Sequence, residues 1–596
     1  GIYKLTENII LEPNKNKTCF PLESQKEQYP SSPGPYSLGF FAGITIEIDN
    51  VILDLNGFTI KQSNRFYLLQ RFFSIIELAS SPFITGQGPG KFGENVISPK
   101  NVVIKNGHLG LSSHHAIHGN GSSNLLIKNI TIKDFEVGGI SLNGVKNCIV
   151  KDVIVKDSLG TNLKVPVNGR FSSAVYLWRM FEKLKDKNLD NYSINFGKNQ
   201  YSISEAHFNL DKMIREIAHI VESSNLRQPI HYKGILNEEF GNPSGLVDCS
   251  AIYGILFNKI GIAVNEFGAC DPKCDKSNFS NNISLENVSI NNLIVNPVEV
   301  VGILNEKKEF LKDFSGSLVM VTQLPWFKNN IDNKYSPKTQ FVDKNGNYDR
   351  LLLNQVLLYK YCIDTNTKWA KGVAKISDNI VKWVTNTNTT LEHYGPVITA
   401  RNGDIMAHVM KGSVALRMDF VKNSCVKNVS ISNISNVGDL GLSSNELQGY
   451  IDGSVDNINK NKNMHNSSHL GHPKSNDNEV GYTGNTSRGV SMVNCDSVIV
   501  SNLDVNYITS RTGSSYGVDL LHNNIDTSIN KSSIRNIQGT AQYLNVVPLT
   551  LQYKLPNWIP KAVGIIIRYL NKNCTSQECD ISSISCVSSS SCLLVQ

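Results

Sequence analysis

The sequence predicts an all-β solenoid, a right-handed parallel β-helix with two mainly helical insertions. Three observations predict it. A pattern built around Asn or Asp recurs seven times, its first three copies lie 23 residues apart, and the strands between copies keep their register. That period suits one coil of three short strands and three turns. We therefore expect an elongated body in which each coil contacts only its neighbours.

The pattern reads apolar, polar, Asn or Asp, apolar or Gly, any residue, apolar, as in Ile104–Leu109. Its period of two indicates two short strands joined by one corner residue. Such a corner needs a left-handed backbone, which Gly, Asn and Asp adopt at low cost. Stacked coils bring the corner side chains into register, where their amides can hydrogen-bond along the axis. The predicted corner ladder consists of Asn106, Asn129, Asp152, Asn287, Asn428, Asn502 and Asn536.

A further strand of each coil carries a candidate glycan-binding face. Counting back 11 residues from three of the corners leads to His118, Ser141 and Ser491. Alternation along a strand predicts that these side chains point to solvent from one face of the stack. Segments that begin with Gly extend the same strand to later coils. The predicted face consists of His118, Ser141, Arg417, Ser491, Asp519 and Arg568.

The corner ladder, the coil length and the opening segment Val51–Ile60 (VILDLNGFTI) resemble the pectin-lyase-like superfamily of right-handed parallel β-helix proteins. That superfamily includes pectate lyases, polygalacturonases, other glycan-cleaving enzymes, phage tailspikes and non-catalytic surface proteins. The resemblance implies the fold and leaves the activity open. The Asn-Thr-Asp, Asp-Asp, Gly-His-Gly and Arg-Ile-Lys signatures of polygalacturonase-like members do not occur. We also find no Asp cluster at coil spacing, which a calcium-dependent lyase would need.

The chain divides into five predicted segments. Residues 1–160, 249–304 and 396–596 are expected to form β-helix coils, the last with a Cys-rich end. Residues 161–248 are expected to form a helical insertion, because apolar residues in Ala174–Leu184 and Glu205–Val221 recur at three- and four-residue spacing. Residues 305–395 are expected to form a mixed insertion, with a hairpin turn at Asn345-Gly346.

Composition excludes some classes of protein. The net charge of +7 is spread over the whole chain, and no basic stripe with interleaved aromatic residues occurs, so we predict no nucleic-acid partner. No run of about 18 apolar residues suggests a membrane span. The chain begins at Gly1, as expected of a mature product without its leader or of a trimmed chain.

Cysteines and sequons favour an oxidising, extracellular environment. The spacing of the cysteines favours disulfides over zinc, whereas Cys148 and Cys425 fit buried free thiols. The candidate disulfide residues are Cys270, Cys274, Cys574, Cys579, Cys586 and Cys592. Sequons at ladder positions compete with packing, so the glycosylation candidates are those in expected loops: Asn16, Asn191, Asn388, Asn466, Asn485 and Asn573.

No cofactor and no metal site is predicted. His114, His115 and His118 lie close together, but no Cys or carboxylate accompanies them in sequence, which favours solvent-exposed turn histidines over a metal site. Asp343–Asp349 resembles a calcium loop but lacks the bidentate Glu at position twelve, so calcium is the weaker alternative to a hairpin turn. Asp519 and Arg568 could meet on neighbouring coils, where a surface ion pair is favoured over an acid and base pair.

These observations favour a secreted or particle-surface structural β-helix glycoprotein. The bias toward Asn, Lys and Ile resembles proteins of AT-rich genomes, such as those of large DNA viruses, and suggests a virion or fibre association. The expected partners are glycans or other surface proteins, with a homo-oligomer or larger assembly as a further expectation. The sequence leans against an enzyme. A polysaccharide lyase or glycoside hydrolase and a carbohydrate-binding adhesin remain as alternatives.

Overall fold

The structure is a computed structural model of the 596-residue chain. It describes residues 1–12, 41–69, 73–80, 96–158, 193–196, 199–202, 204–205, 207–208, 211, 259–265, 276–295, 413–436, 486–510, 514–539, 561–568, 570–586 and 590–595. None of the helices in these ranges has the length and hydropathy of a membrane span.

The described residues form an all-β parallel solenoid of two long sheets, as predicted. The first sheet has 14 strands: β1 (Ile2–Lys4), β2 (Ile9–Leu11), β4 (Val51–Asp54), β5 (Thr59–Gln62), β7 (Lys100–Ser112), β9 (Ser123–Phe135), β11 (Lys146–Lys156), β15 (Ser280–Val295), β17 (Val421–Asn436), β19 (Asp496–Ser510), β21 (Ser528–Asn530), β22 (Ser533–Gly539), β24 (Thr575–Gln577) and β25 (Asp580–Cys586). The second sheet has ten: β3 (Phe41–Thr45), β6 (Phe73–Leu78), β8 (His115–Asn120), β10 (Gly138–Asn143), β14 (Lys259–Asn265), β16 (Ser413–Asp419), β18 (Ser487–Val493), β20 (Ser515–His522), β23 (Ala562–Ile567) and β26 (Ser590–Val595).

One coil consists of a long strand of the first sheet followed by a short strand of the second. The long strand bends at its corner residue, so each coil has three straight segments. Lys105 pairs with Lys128, and Lys128 pairs with Lys151, which confirms the 23-residue period. Six corners, from Asn106 to Asn502, occupy one column, and all have left-handed φ values between 52° and 60°.

Asn536 does not belong to that column, so this part of the predicted ladder is wrong. Ser501 pairs with Asn530, which places Lys531 opposite Asn502, while Arg535 pairs with Asn506 and places Asn536 opposite Tyr507. The reason is that most coils have left-handed corners at three positions five residues apart, and the sequence pattern at Asn536 fits any of these positions. The column before the predicted one contains Asn101, Asn124, Asn147, Asn282, Asn423 and Ser497, and the column after it contains Leu111, Asp134, Asn292, Asn433, Tyr507 and Asn536.

Side-chain amides link successive coils at these corners. Asn129 donates through Nδ2 to Oδ1 of Asn106 at 3.1 Å, and Asn428 donates in the same way to Asn287 at 3.1 Å. Asn124 donates to Asn101 at 2.8 Å in the preceding column. These side chains are largely exposed, so each hydrogen bond links one coil to the next rather than compensating for burial.

The core lies between the sheets and repeats from coil to coil. Ile104, Ile127, Val150 and Leu285 occupy one column of the first sheet, and each is at most 1% exposed. Branched side chains suit this position because they pack well on a pleated surface. Gly517, in the second sheet, packs against the side chain of Ile534, and an added Cβ would lie 2.5 Å from the carbonyl oxygen of Gly564.

Connections of very different length leave the solenoid at one corner, between the end of a first-sheet strand and the start of the next second-sheet strand. Only residues 113–114 connect β7 to β8, whereas residues 157–258 connect β11 to β14 and residues 296–412 connect β15 to β16. The coils on either side of these segments still pair directly, since Val150 pairs with Leu285 and Leu285 with Val426.

Among the described residues, a short helix, a 3-10 helix and a hairpin lie outside the two sheets. Helix α1 (Asn64–Leu69) begins where Oγ of Ser63 accepts the backbone N–H of Phe66 at 3.0 Å, and a 3-10 helix spans Lys276–Asn278. Strands β12 (Ser193–Phe196) and β13 (Asn199–Ser202) form an antiparallel hairpin inside the segment expected to be helical. The residues on either side of Gly197-Lys198 alternate as in a hairpin. The helical prediction for this segment came instead from the spacing of apolar residues before and after them.

Most of the remaining expectations for the insertions concern residues outside the described ranges. Glu205 and Asp211, near the start of the predicted helix Glu205–Val221, are helical. Ala174–Leu184, the Asn345-Gly346 turn and the calcium-like segment Asp343–Asp349 lie outside the described residues.

The C-terminal cysteines do not form the predicted disulfides in this structure. None of Cys574, Cys579, Cys586 and Cys592 is joined in a disulfide. The Sγ atoms of Cys574 and Cys579 instead donate to the carbonyl oxygens of Lys572 and Gln577, at 3.6 and 3.4 Å. In the preceding coil, the hydroxyls of Thr527 and Ser532 likewise donate to the carbonyl oxygen two residues earlier in the chain. The cysteines therefore occupy positions beside corners that the preceding coil fills with small polar side chains. Cys270 and Cys274 lie outside the described residues.

Cys148 matches its expectation of a buried free thiol, whereas Cys425 is a free thiol but is exposed. Burial raises the pKa of Cys148 to about 12. Cys425 faces outward because it lies one position out of phase with the buried side of its strand.

Candidate functional site

The predicted glycan-binding residues lie on the outer side of the second sheet. Strand pairing aligns eight residues in one row, here called the outer row: Glu77, His118, Ser141, Ala263, Arg417, Ser491, Asp519 and Ile566. Five of the six predicted residues therefore share one row. Arg568 does not, because Ile566 occupies the row in its strand and Arg568 follows two residues later, although its side chain reaches back to Asp519.

The predicted solvent exposure of this face is wrong. Asp519 is fully buried, Arg568 is 2% exposed, and His118, Ser141 and Ser491 are at most 9% exposed. Only Arg417 keeps a partly exposed side chain, at 33%. Alternation correctly identifies the side of the sheet on which a residue lies, but it carries no information on what covers that side.

At one end of the row, a carboxylate holds the His118 ring. Nδ1 of His118 lies 2.9 Å from both carboxylate oxygens of Glu77, which is 1% exposed and belongs to the preceding coil. The other ring nitrogen, Nε2, lies 3.3 Å from Nδ2 of Asn143. Since an amide nitrogen only donates, this contact is satisfied by a ring with its proton on Nδ1. Burial raises the pKa of Glu77, and the nearby His118 opposes that shift.

The other two histidines extend this cluster. The His115 ring stacks on His118 with centroids 5.0 Å apart, and Nδ1 of His114 lies 3.0 Å from Nδ1 of His115. Burial lowers the pKa of His115 well below its usual value, and the charges of His114 and His118 add to that shift. His114 and His115 are partly buried rather than exposed, and their rings contact each other with centroids 4.1 Å apart. Among the described residues, no group of three or more His, Cys, Asp or Glu side chains could hold a metal ion.

At the other end of the row, two arginines bind one buried carboxylate. Asp519 accepts from Nε of Arg488 at 2.7 Å, and from Nε and Nη2 of Arg568 at 3.1 and 2.8 Å. The ring of Tyr516 lies against Arg568, with 4.5 Å between its centroid and the guanidinium carbon. Asp519 and Arg568 therefore do meet on neighbouring coils, but in a buried cluster rather than in the predicted surface ion pair.

The carboxylates of this face do not converge on one point. Glu77 lies four strands from Asp419, roughly 19 Å at the usual strand spacing, and Asp419 lies two strands from Asp519, roughly 10 Å. Glycosidases place their two carboxyl groups about 5–9.5 Å apart around the bond to be cleaved. Asp419 is moreover bound by Arg417, and Asp519 by two arginines. The described row therefore offers buried ion pairs rather than a free acid and base.

Sequence reasoning missed Glu77 and Arg488. Glu77 precedes His118 by 41 residues, and Arg488 precedes Asp519 by 31, so neither follows the 23-residue coil spacing. A signal existed for Arg488, since it is the second residue of a strand already recognised from Val490 and Ser491.

One glycosylation candidate lies within the described residues. Asn573 is not in a loop as expected but at a left-handed corner, where its Nδ2 donates to Oδ1 of Asp526 at 2.9 Å. Its modification stays a prediction, and the amide contact competes with it. Asn16, Asn191, Asn388, Asn466 and Asn485 lie outside the described residues.

The fold and the outer row together define a parallel β-helix with internally paired charges. Neither a protein-family model nor a curated protein sequence matches the chain. Among solved structures, it is similar to PfbA, a surface adhesin of Streptococcus pneumoniae, at 8% sequence identity and a TM-score of 0.22. That alignment covers 91% of this chain and 82% of the other. The assignment of the fold rests on the strand register described above.

Proposed function

We propose that this protein is a non-catalytic structural β-helix of an extracellular or particle surface, and that its long flank contacts glycans or other surface proteins. The observation that carries the proposal is the pairing of the charged groups along the outer row. Glu77, Asp419 and Asp519, the carboxylates of that face, are each buried and bound by a cation or a histidine of the same face.

The pairing supports a structural role for a physical reason. A general acid or base must reach the proton that it transfers, and its pKa must suit that transfer. Asp519 lies under two guanidinium groups and is fully buried, so it is closed to a substrate. Burial of this kind fixes how neighbouring coils pack, since a buried charge is tolerated only with its partner in place.

The amide-rich flank supports glycan contact. Asn101, Asn124 and Asn147 lie in one exposed column at the edge of the first sheet and are joined by hydrogen bonds of 2.8 and 3.0 Å. Amide and hydroxyl groups held in fixed geometry can bind sugar hydroxyls without a large loss of side-chain entropy. A rigid stack also presents such groups repeatedly along its axis.

The proposal is tested by separating binding from cleavage. The full chain is incubated with immobilised and soluble polysaccharides, both neutral (dextran) and acidic (polygalacturonate, hyaluronate and heparin). Binding is measured by biolayer interferometry, and cleavage by assays for reducing ends and for unsaturated products at 235 nm. We expect retention on at least one glycan with no product above a heat-treated control. Product formation would overturn the non-catalytic role, and retention on none of the glycans would overturn glycan contact.

A further inference from the structure

A cleft of about 610 Å³ lies on the outer side of the first sheet, away from the outer row. It crosses β5, β7, β9 and β11, and its walls include Lys61, Lys133 and Lys156. We call it the lysine cleft. It runs along the solenoid axis, across successive coils, so its long direction suits a linear ligand.

Strand pairing sets the three lysines in one row. Lys61 pairs with Gly110, Gly110 with Lys133, and Lys133 with Lys156. Adjacent strands are about 4.8 Å apart, so Lys133 and Lys156 are one step apart, and Lys61 lies two steps, roughly 10 Å, from Lys133. Gly110 has no side chain, so the row carries no charge at that step.

The lysines of the cleft lack counter-ions within the ranges that the structure describes, where none of the three makes an ion pair. On the other side of the corner, by contrast, Lys105 pairs with Asp54 at 3.5 Å and Lys151 with Glu286 at 3.2 Å.

One carboxylate does line the lysine cleft, that of Asp134. It accepts hydrogen bonds from the backbone N–H and the hydroxyl of Ser158, at 2.7 and 2.6 Å. Three ammonium groups against one carboxylate leave a positive potential in a concave site, which attracts anions.

The rest of the lining suits sugars better than nucleic-acid bases. Thr59, His108 and Thr131 form a neighbouring row of polar side chains, and Leu111 adds an apolar surface. Sugar rings present hydroxyl groups at their edges and C–H groups on their faces, so they can use both kinds of surface. No Phe, Tyr or Trp side chain is among the described residues that line the cleft, whereas single-stranded nucleic acids bind by stacking on such rings.

We propose that the lysine cleft binds a linear glycan that carries regularly spaced anionic groups, sulfate or carboxylate. This inference rests on the proposed function and names the class of glycan and the site that holds it. The lysines bind the anionic groups as point charges, since an ammonium donates three hydrogen bonds without the planar geometry of a guanidinium. The threonines bind the hydroxyl groups between them.

The test compares two triple variants on overlapping coils. Lys133 and Lys156 lie on the same strands as Lys128 and Lys151, whereas Lys61 lies one coil before Lys105. K61Q/K133Q/K156Q removes the charges of the cleft, and K105Q/K128Q/K151Q removes an equal charge from the row on the other side of the corner. Heparin and hyaluronate serve as sulfated and carboxylated probes, with dextran as the neutral probe and single-stranded poly-dT as the nucleic-acid probe. Three exposed ion pairs of ordinary strength correspond to about tenfold in affinity, so the cleft variant should bind heparin or hyaluronate about tenfold more weakly.

Several results distinguish this inference from the proposed function. The control variant should lose less than threefold, and the cleft variant should keep any affinity for dextran. A third variant, T131W, blocks the cleft without changing its charge and should weaken anionic binding as well. Equal losses in the two triple variants, or binding of dextran alone, would overturn the cleft while leaving glycan contact in place. Tighter binding of poly-dT than of either acidic glycan would also overturn it.

Discussion

Removing the charge of Asp519 should destabilise the protein strongly. The D519N substitution keeps the shape of the side chain but takes a fully buried negative charge from between two guanidinium groups, at 2% and 5% exposure. Asp519 accepts three hydrogen bonds of 2.7 to 3.1 Å from them. Breaking a buried ion pair from one side costs about 3–5 kcal/mol, because the remaining charge stays buried without its counter-charge. We expect a loss in that range.

Asp504 provides a matched control, since it also pairs with an arginine one coil away. Its carboxylate lies 3.0 Å from Nη2 of Arg535, but both side chains are more than 40% exposed. Exposed pairs contribute about 0–1 kcal/mol, so D504N should have a small effect. Urea unfolding followed by circular dichroism would measure both variants. If D519N lost no more stability than D504N, the buried cluster would not act as we describe.

Three further outcomes follow from the structure. N129V should lose about 2–3 kcal/mol in urea unfolding, since a β-branched residue resists the φ of 54° and the 3.1 Å bond to Asn106 is lost, whereas N129G should lose only the bond. Burial lowers the pKa of His115 in the folded protein, so below the ordinary histidine pKa of about 6.5 the unfolded chain binds more protons than the folded chain. The free energy of unfolding should therefore fall as pH drops from 7.5 to 5.5, by up to about 1.4 kcal/mol per pH unit, and H115N should flatten that slope. A maleimide reagent should modify exposed Cys425 in the native protein but not Cys148, whose pKa burial raises to about 12; equal labelling would contradict the buried position.

The fold was predictable because its corners restrict residue type. Asn106, Asn129 and Asp152 mark a backbone conformation that most residues avoid, so the coil period is readable directly. The column at Asn101, Asn124 and Asn147 carried the same signal and was equally accessible. The left-handed corners at Leu111 and Tyr507 were not, because there the tertiary structure imposes that conformation on residues with no preference for it.

The candidate site was only partly predictable. Register follows from coil spacing, and it correctly aligned His118, Ser141 and Ser491 in one row. Burial of a sheet face and the identity of ion-pair partners depend on contacts between segments far apart in sequence. The partner of His118 lies in an earlier coil, and one partner of Asp519 comes from the strand before it, so neither contact leaves a local pattern.

The corner from which the long connections leave the solenoid has a thermodynamic consequence. The entropy lost on closing a loop grows only with the logarithm of its length, by about 0.6 kcal/mol for each doubling. The 296–412 connection is about six doublings longer than the turn at residues 113–114, so it adds roughly 3.5 kcal/mol of closure cost. The strands at its ends keep their register, since β15 pairs with β17 and β16 with β14. The cost of added chain at this corner therefore rises far more slowly than its length. A foreign peptide placed between Ser113 and His114 would extend a turn that later coils already replace with whole segments.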